Sequence, residues 1–203
     1  MLEVLLIRAG STNFDEDGRI KGSLDIPLSP LGIQQAEAAA KSLSGIKLDL
    51  LYVAPCESAQ DTARFICRRS GWKQKGIQCL RNVDRGLWQG KLVDEVRRLQ
   101  PRLYRQFQDA PESVCPPGGE TLNEVRERIS ATLDKLKRKH RNQKIGIVLP
   151  EPMASIVRCE LVGGNIEDIW KSELAAGTWE LLTIDPEEPV ANPVSASRFV
   201  VAN

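Results

Sequence analysis

Short apolar runs alternate with helix-patterned stretches along this chain, and that alternation constrains its fold more than any other feature. Residues 2 to 7 form an apolar run rich in branched side chains that ends at Ala9-Gly10-Ser11-Thr12. A run of this length closed by small, turn-forming residues suits a buried strand feeding a loop. Ser29-Pro30 then reads as a helix start, with Pro30 at the first helical position and Leu31, Ala36, Ala39, Ala40 and Leu43 as the apolar content up to Ser44-Gly45. The same logic places further strands near residues 48–53, 77–83, 145–149, 178–184 and 197–201, and helices near 57–69 and 153–162. Leu122, Val125, Ile129, Leu133 and Leu136 recur at three and four residues, the period of one buried face on a long helix. Strands alternating with helices at this spacing predict an α/β fold: a three-layer α/β/α sandwich, its mostly parallel sheet covered by helices on both faces. In such folds ligands bind at the carboxyl ends of the strands, here the loops after Ile7, Val53, Val83 and Leu149.

Composition narrows the function. With 203 residues, 41% of them hydrophobic, the chain can bury roughly 70% of its unfolded surface around one core, so residues 1–203 read as a single domain. A helical insertion spans about residues 86–119, with pieces at 93–99 and 103–107, and closes with Cys115-Pro116-Pro117-Gly118-Gly119. The stretch 185–193, rich in Pro and Glu, reads as a surface loop between the last two strands. Lys and Arg number 28 against 27 Asp and Glu, which gives no basic surface of the kind nucleic acid attracts. The five cysteines are scattered without a C-x-x-C pair and read as reduced thiols, forming neither a disulfide framework nor a zinc site. No cofactor or metal is expected. The apolar amino terminus is too short for a signal core and no 18 apolar residues run together, so a cytoplasmic chain without a membrane partner is expected. A single histidine, His140, excludes any mechanism that needs two.

The loops carry a pattern. Arg8-Ala9-Gly10-Ser11-Thr12 is followed by Arg19, Gly22, Asp25, Pro27, Leu28, Gly32, Gln35 and Ala36. Downstream come Ala54-Pro55-Cys56-Glu57-Ser58-Ala59 with Thr62-Ala63, then Gly86, Trp88 and Gly90, then Pro117-Gly118-Gly119-Glu120-Thr121 with Arg128, and finally residues 147–152. Over roughly residues 2 to 184 this resembles the histidine phosphatase superfamily, the phosphoglycerate mutase-like fold. The resemblance implies a histidine that attacks the phosphoryl group, two arginines and a second histidine that hold its oxygens, and a carboxylate that protonates the leaving group.

The matching positions depart from that set. Ala9 stands at the nucleophile, and a methyl group cannot attack phosphorus. Ser58 stands at the second arginine and offers one neutral hydrogen bond in place of a charged fork. Asn82 stands at the acid, an amide with no proton to transfer, and Pro150 stands at the second histidine, without even a backbone N–H. Only Arg8 remains of the central constellation. His140 lies at the basic end of the long helix, 135–141, and is expected to face solvent there, complementing the helix dipole.

The resemblance thus leads to the expectation of a catalytically inactive member, outside the enzymes, with a binding or regulatory role. Its residual pocket would comprise Arg8, Gly10, Ser11, Thr12, Asp15, Arg19, Lys21, Ser58, Asn82 and Glu120. Arg8, Arg19 and Lys21, with any free N–H groups of residues 10–12, could gather on a small anionic or phosphorylated ligand. Equally, Arg8 could pair with a carboxylate such as Glu120 or Asp15. One alternative is a phosphoester hydrolase or other enzyme using Asp15, Asp84, Glu120 or Glu151. Another is a structural or assembly protein with a protein partner, or a homodimer. Cys79 and Arg85 have the spacing of a cysteine phosphatase loop, but no glycine lies between them to let a loop wrap phosphate. Trp88, Trp170 and Trp179 read as packing aromatics.

Overall fold

The computed structural model describes residues 1–163 and 175–185. Trp170, the expected strand at 197–201 and the loop beyond Asp185 lie outside the described residues. Strands β1 (Leu2–Arg8), β2 (Leu50–Val53), β3 (Gln74–Gly76), β4 (Lys144–Leu149) and β5 (Trp179–Ile184) form one sheet in the order β3-β2-β4-β1-β5. Three of the four pairings are parallel, and β5 runs antiparallel along β1. The central strands β1 and β4 are buried along nearly their whole length, which is why each reads as a continuous apolar run without alternation.

The helices are α1 (Asn13–Glu16), α2 (Pro30–Ser42), α3 (Glu57–Ser70), α4 (Val93–Leu99), α5 (Pro101–Asp109), α6 (Leu122–Lys139) and α7 (Met153–Val162). Ser29 caps α2 through the Gly32 N–H, with Pro30 at the first position as its sequence requires. Thr121 and Glu124 close a reciprocal capping box on α6, whose apolar stripe Leu122, Val125, Ile129, Leu133 and Leu136 is buried. Helices α2 and α3 pack on each other, as do α6 and α7, and the two pairs sandwich the sheet into the three-layer α/β/α architecture. The insertion carries α4 and α5 and builds a satellite cluster of Trp88, Val96, Phe107 and Val114.

Two sequence expectations fail for identifiable reasons. The third strand is Gln74–Gly76, earlier than the 77–83 expected, and the latter stretch holds a short 3-10 turn at Gln78–Leu80. β3 is an exposed edge strand and therefore lacks apolar alternation, whereas Leu80 and Val83 are buried as loop residues tucked under the core. His140 is not solvent-facing: it is only 5% exposed. It sits at the C-cap of α6, where the backbone leaves the helix, so its ring departs from the exposed basic face. Its Nδ1 meets Gln143 Oε1, and Nε2 lies 2.8 Å from the Tyr52 hydroxyl on β2.

Candidate active site

β1 ends on Arg8, whose side chain is 0% exposed. Its Nε donates to Glu151 Oε1 at 2.8 Å and its Nη2 to Glu180 Oε1 at 2.9 Å. Glu180 accepts in turn from Arg158 Nε at 3.0 Å. Four charges of alternating sign therefore balance one another, as burial of a guanidinium demands. Of the two roles open to Arg8, the carboxylate pair is the one formed, but Glu120 and Asp15 are not its partners. Sheet order decides this: β4 and β5 flank β1, placing Leu149 beside Arg8 and Glu180 beside Leu6. Glu151 follows two residues after Leu149, and neither neighbour is close to Arg8 in sequence.

The backbone N–H groups of residues 10–12 are not free for an anion. Gly10 N donates to Thr62 Oγ1 at 3.0 Å, Ser11 N to Gln35 Oε1 at 2.8 Å and Thr12 N to Asp15 Oδ2 at 2.8 Å. This loop lies so close to the start of α2 that a Cβ on Gly32 would strike the Ser11 carbonyl, and one on Gly10 would strike the Gly32 carbonyl. Ala9, Ser58, Asn82 and Pro150 are all buried. Ser58 Oγ lies 3.7 Å from Cys56 Sγ, and Asn82 Nδ2 donates to the Gly22 and Glu151 carbonyls at 3.0 and 3.1 Å. Burial also pushes the Cys56 thiol above its ordinary range, which suppresses its thiolate.

Beside this closed floor opens a cavity of about 460 Å³, in the size range of small-molecule sites. Asp15, Arg19 and Lys21 reach it from the loop after β1, and Glu151 from the loop after β4. Arg85 and, from the insertion, Trp88, Tyr104 and Phe107 also line it. Lys21 Nζ lies 3.0 and 2.9 Å from the two Asp15 oxygens. Burial raises the pKa of Asp15, but the Lys21 charge and hydrogen bonds from Lys21 and Thr12 outweigh it and hold the carboxyl below its ordinary value. Arg19 Nη1 donates to the Gly90 carbonyl at 2.8 Å, leaving its side chain partly exposed.

The four carboxylates that sequence could not separate now divide. Asp15 and Glu151 share the cavity. Glu120 instead accepts from Arg128 Nη2 at 2.8 Å and the Asp84 N–H at 2.9 Å, and Asp84 Oδ1 accepts from the Gly86 N–H at 2.8 Å. Both brace the turn before α6. Cys79 Sγ points to Thr132 Oγ1 at 2.9 Å and takes no part in the cavity. Arg85, Trp88, Tyr104 and Phe107 are among the cavity-lining residues that the sequence does not single out as such. The close spacing of Leu103, Tyr104 and Phe107 on one short helix was the available signal, but it reads first as core. No helix among the described residues is long and apolar enough to cross a membrane.

The sequence profile of the histidine phosphatase superfamily (branch 1) matches residues 4–195. The chain is 29% identical over 170 residues to phosphoserine phosphatase 1 of Hydrogenobacter thermophilus, a match covering 84% of this chain and 81% of that one. It is 24% identical over 202 residues to the adenosylcobalamin/alpha-ribazole phosphatase of Escherichia coli, across 100% of both chains. Among solved structures, the alpha-ribazole phosphatase from Shigella flexneri shares the fold with a TM-score of 0.82 at 24% identity, over 98% of this chain and 95% of that one. The phosphatase names of these relatives overturn the expectation of a protein outside the enzymes and point towards an enzyme. The error lay in passing from a missing residue to a missing activity. Ala9 and Pro150 exclude transfer through histidine at those positions, and hydrolysis of a phosphoester has other routes. The chain belongs to the histidine phosphatase superfamily, branch 1.

Proposed function

We propose that the chain is a phosphoester hydrolase that works through carboxylates and cations in place of imidazoles. The observation that carries this reading is the meeting of Glu151 and Asp15 in one open cavity, with Glu151 held by Arg8. Hydrolysis needs positive charge on the phosphoryl oxygens and a base for the attacking water. Lys21, Arg19 and Arg85 bring the charge to the cavity. Glu151 is the base: its side chain is 21% exposed, and each carboxylate oxygen keeps a second lone pair beyond its bonds to Arg8 and the Ser155 N–H. Three buried polar atoms lack a partner among the described residues: Arg8 Nη1, Asn82 Oδ1 and Ser155 Oγ. All three belong to residues that hydrogen-bond Glu151, so polar groups suited to a buried water gather behind it. Asp15 serves to hold Lys21.

In this reaction Glu151 takes a proton from water as the water oxygen bonds to phosphorus and the bond to the ester oxygen breaks. The departing oxygen is protonated by the Lys21 ammonium, giving an alcohol and inorganic phosphate; Lys21 then regains a proton from solvent and Glu151 releases to solvent the one it took. The names of the relatives, phosphoserine and alpha-ribazole phosphatases, support a phosphomonoester as substrate. Steady-state turnover of a phosphomonoester panel tests the reading, with Glu151→Gln lowering kcat by about 10²–10⁴-fold while circular dichroism stays unchanged. Absence of turnover in the intact chain, or full activity in Glu151→Gln, overturns it.

A further inference from the structure

Three loops meet behind the cavity, and one buried side chain holds two of them together. Asn82, on the segment after β3, is 3% exposed, and its Nδ2 donates to the Gly22 carbonyl at 3.0 Å and to the Glu151 carbonyl at 3.1 Å. Both protons of the amide are thereby used. Gly22 and Glu151 line the cavity, as does Lys21 beside Gly22, whereas Asn82 is buried behind them. The orientation of the amide is forced, because turning it would set Oδ1 against two carbonyl oxygens with no proton between them. Asn82 is itself anchored. Leu80 and Val83 around it are fully buried, and Arg128 Nη2 on α6 donates to the Asn82 carbonyl at 3.3 Å and to the Arg81 carbonyl at 2.9 Å. A residue fixed in this way dictates where the two carbonyls lie.

We infer that Asn82 is a positioning residue, whose amide sets the spacing between Lys21, which protonates the departing oxygen, and Glu151, which takes the proton from water. This rests on the hydrolase reading. Acid and base serve the departing and attacking oxygens of one displacement, so their separation must match its transition state, and a misplacement of about 1 Å can cost roughly 10²-fold in rate. Substrate affinity depends instead on the cations that meet the phosphoryl oxygens, and these are held by other partners. Arg19 Nη1 is bound to the Gly90 carbonyl and Lys21 Nζ to Asp15. A carboxylate at position 82 would offer no proton to either carbonyl and would bury a charge between the loops, so an amide is the group of this size that fits the role. Asn82, which stands at the acid in the family resemblance, thus keeps a part in the site without transferring a proton.

Two measurements on the full chain test this. In the parent, NMR is expected to show the Asn82 side-chain amide protons exchanging with solvent about tenfold or more slowly than those of a free primary amide. Exchange at the free rate overturns the inference. In steady-state turnover of a phosphomonoester, Asn82→Ala is expected to lower kcat about 10- to 100-fold with KM changed by less than about threefold. The smaller side chain leaves room for water to satisfy the two carbonyls, and circular dichroism checks that the variant keeps its fold. In the Glu151→Gln background the same substitution is expected to change kcat by less than about twofold, since the pair it spaces is already broken. An equal loss in both backgrounds shows a role in the fold alone and overturns the inference. Turnover that Asn82→Ala leaves intact removes the positioning role and leaves the hydrolase. Slowly exchanging Asn82 protons in a chain that turns over no phosphomonoester remove the hydrolase reading, and with it the positioning of acid and base, and leave only the tie between the loops.

Discussion

Two regions at the same end of the sheet handle charge in opposite ways. In the inner one, Arg8 is enclosed by Glu151 and Glu180, with Ala9, Ser58, Asn82 and Pro150 buried around it. In the outer one, Lys21 and Arg19 meet Asp15, Glu151 and the insertion across an open cavity. The inner guanidinium is committed to holding the fold together, and the outer cations remain within reach of a ligand. A cation's place in a motif therefore says little about its availability, which depends on the carboxylates the fold brings beside it. Glu151 belongs to both regions, anchored on the buried arginine and presented to the cavity.

The sharpest way to break the comparison is Arg8→Met. Removing the guanidinium leaves Glu151 and the deeply buried Glu180 without their shared cation, and urea unfolding is expected to show a loss of about 3–5 kcal/mol. A loss under about 1 kcal/mol would mean that Arg8 is not committed to the fold. Next in size is Gly32→Ala, whose methyl meets the backbone of the loop that closes the inner region; a loss of about 1–3 kcal/mol is expected in the same measurement. An unchanged midpoint would show that this loop yields readily.

The smallest effect belongs to the outer region and appears as pH dependence. Asp15 has a folded pKa below its unfolded value of about 3.9, so its contribution is complete above that value and fades as pH falls through the folded pKa. Its side chain is 40% exposed, so solvent screens the pair with Lys21, and the contribution is under about 1 kcal/mol. The stability difference between the parent and Asp15→Asn is expected to be constant near neutrality and to shrink below about pH 4. A difference that grows on acidification would contradict the assignment.

Much of the frame was legible because burial leaves a mark on composition. β1 and β4 lie inside the sheet and read as apolar runs, the α6 stripe keeps its helical period, and Ser29-Pro30 announces α2. β3 escaped because an exposed edge strand of Gln74, Lys75 and Gly76 leaves no such mark. His140 was misplaced because a helix C-cap residue does not follow the helical face, and its partner Tyr52 lies 88 residues away. The partners of Arg8 were hidden for a related reason. Glu151 and Glu180 lie 143 and 172 residues from it, and only the order of strands brings them near. Trp88 and Trp179 do pack, as expected, yet Trp88 also lines the cavity, and sequence alone could not show that one residue does both.

The alternating line Glu151–Arg8–Glu180–Arg158 joins the loop after β4, the end of β1, strand β5 and helix α7. It acts as a tether. If β5 peeled from the sheet, Glu180 would leave with it, and Arg8 would lose one of its two carboxylates while keeping Glu151. The residue that presents a carboxylate to the cavity would then be gripped by an arginine with no second claim on it. Strand β5, separated from β4 by β1 along the sheet and remote in sequence from Arg8, thereby sets how firmly the Glu151 carboxylate is held.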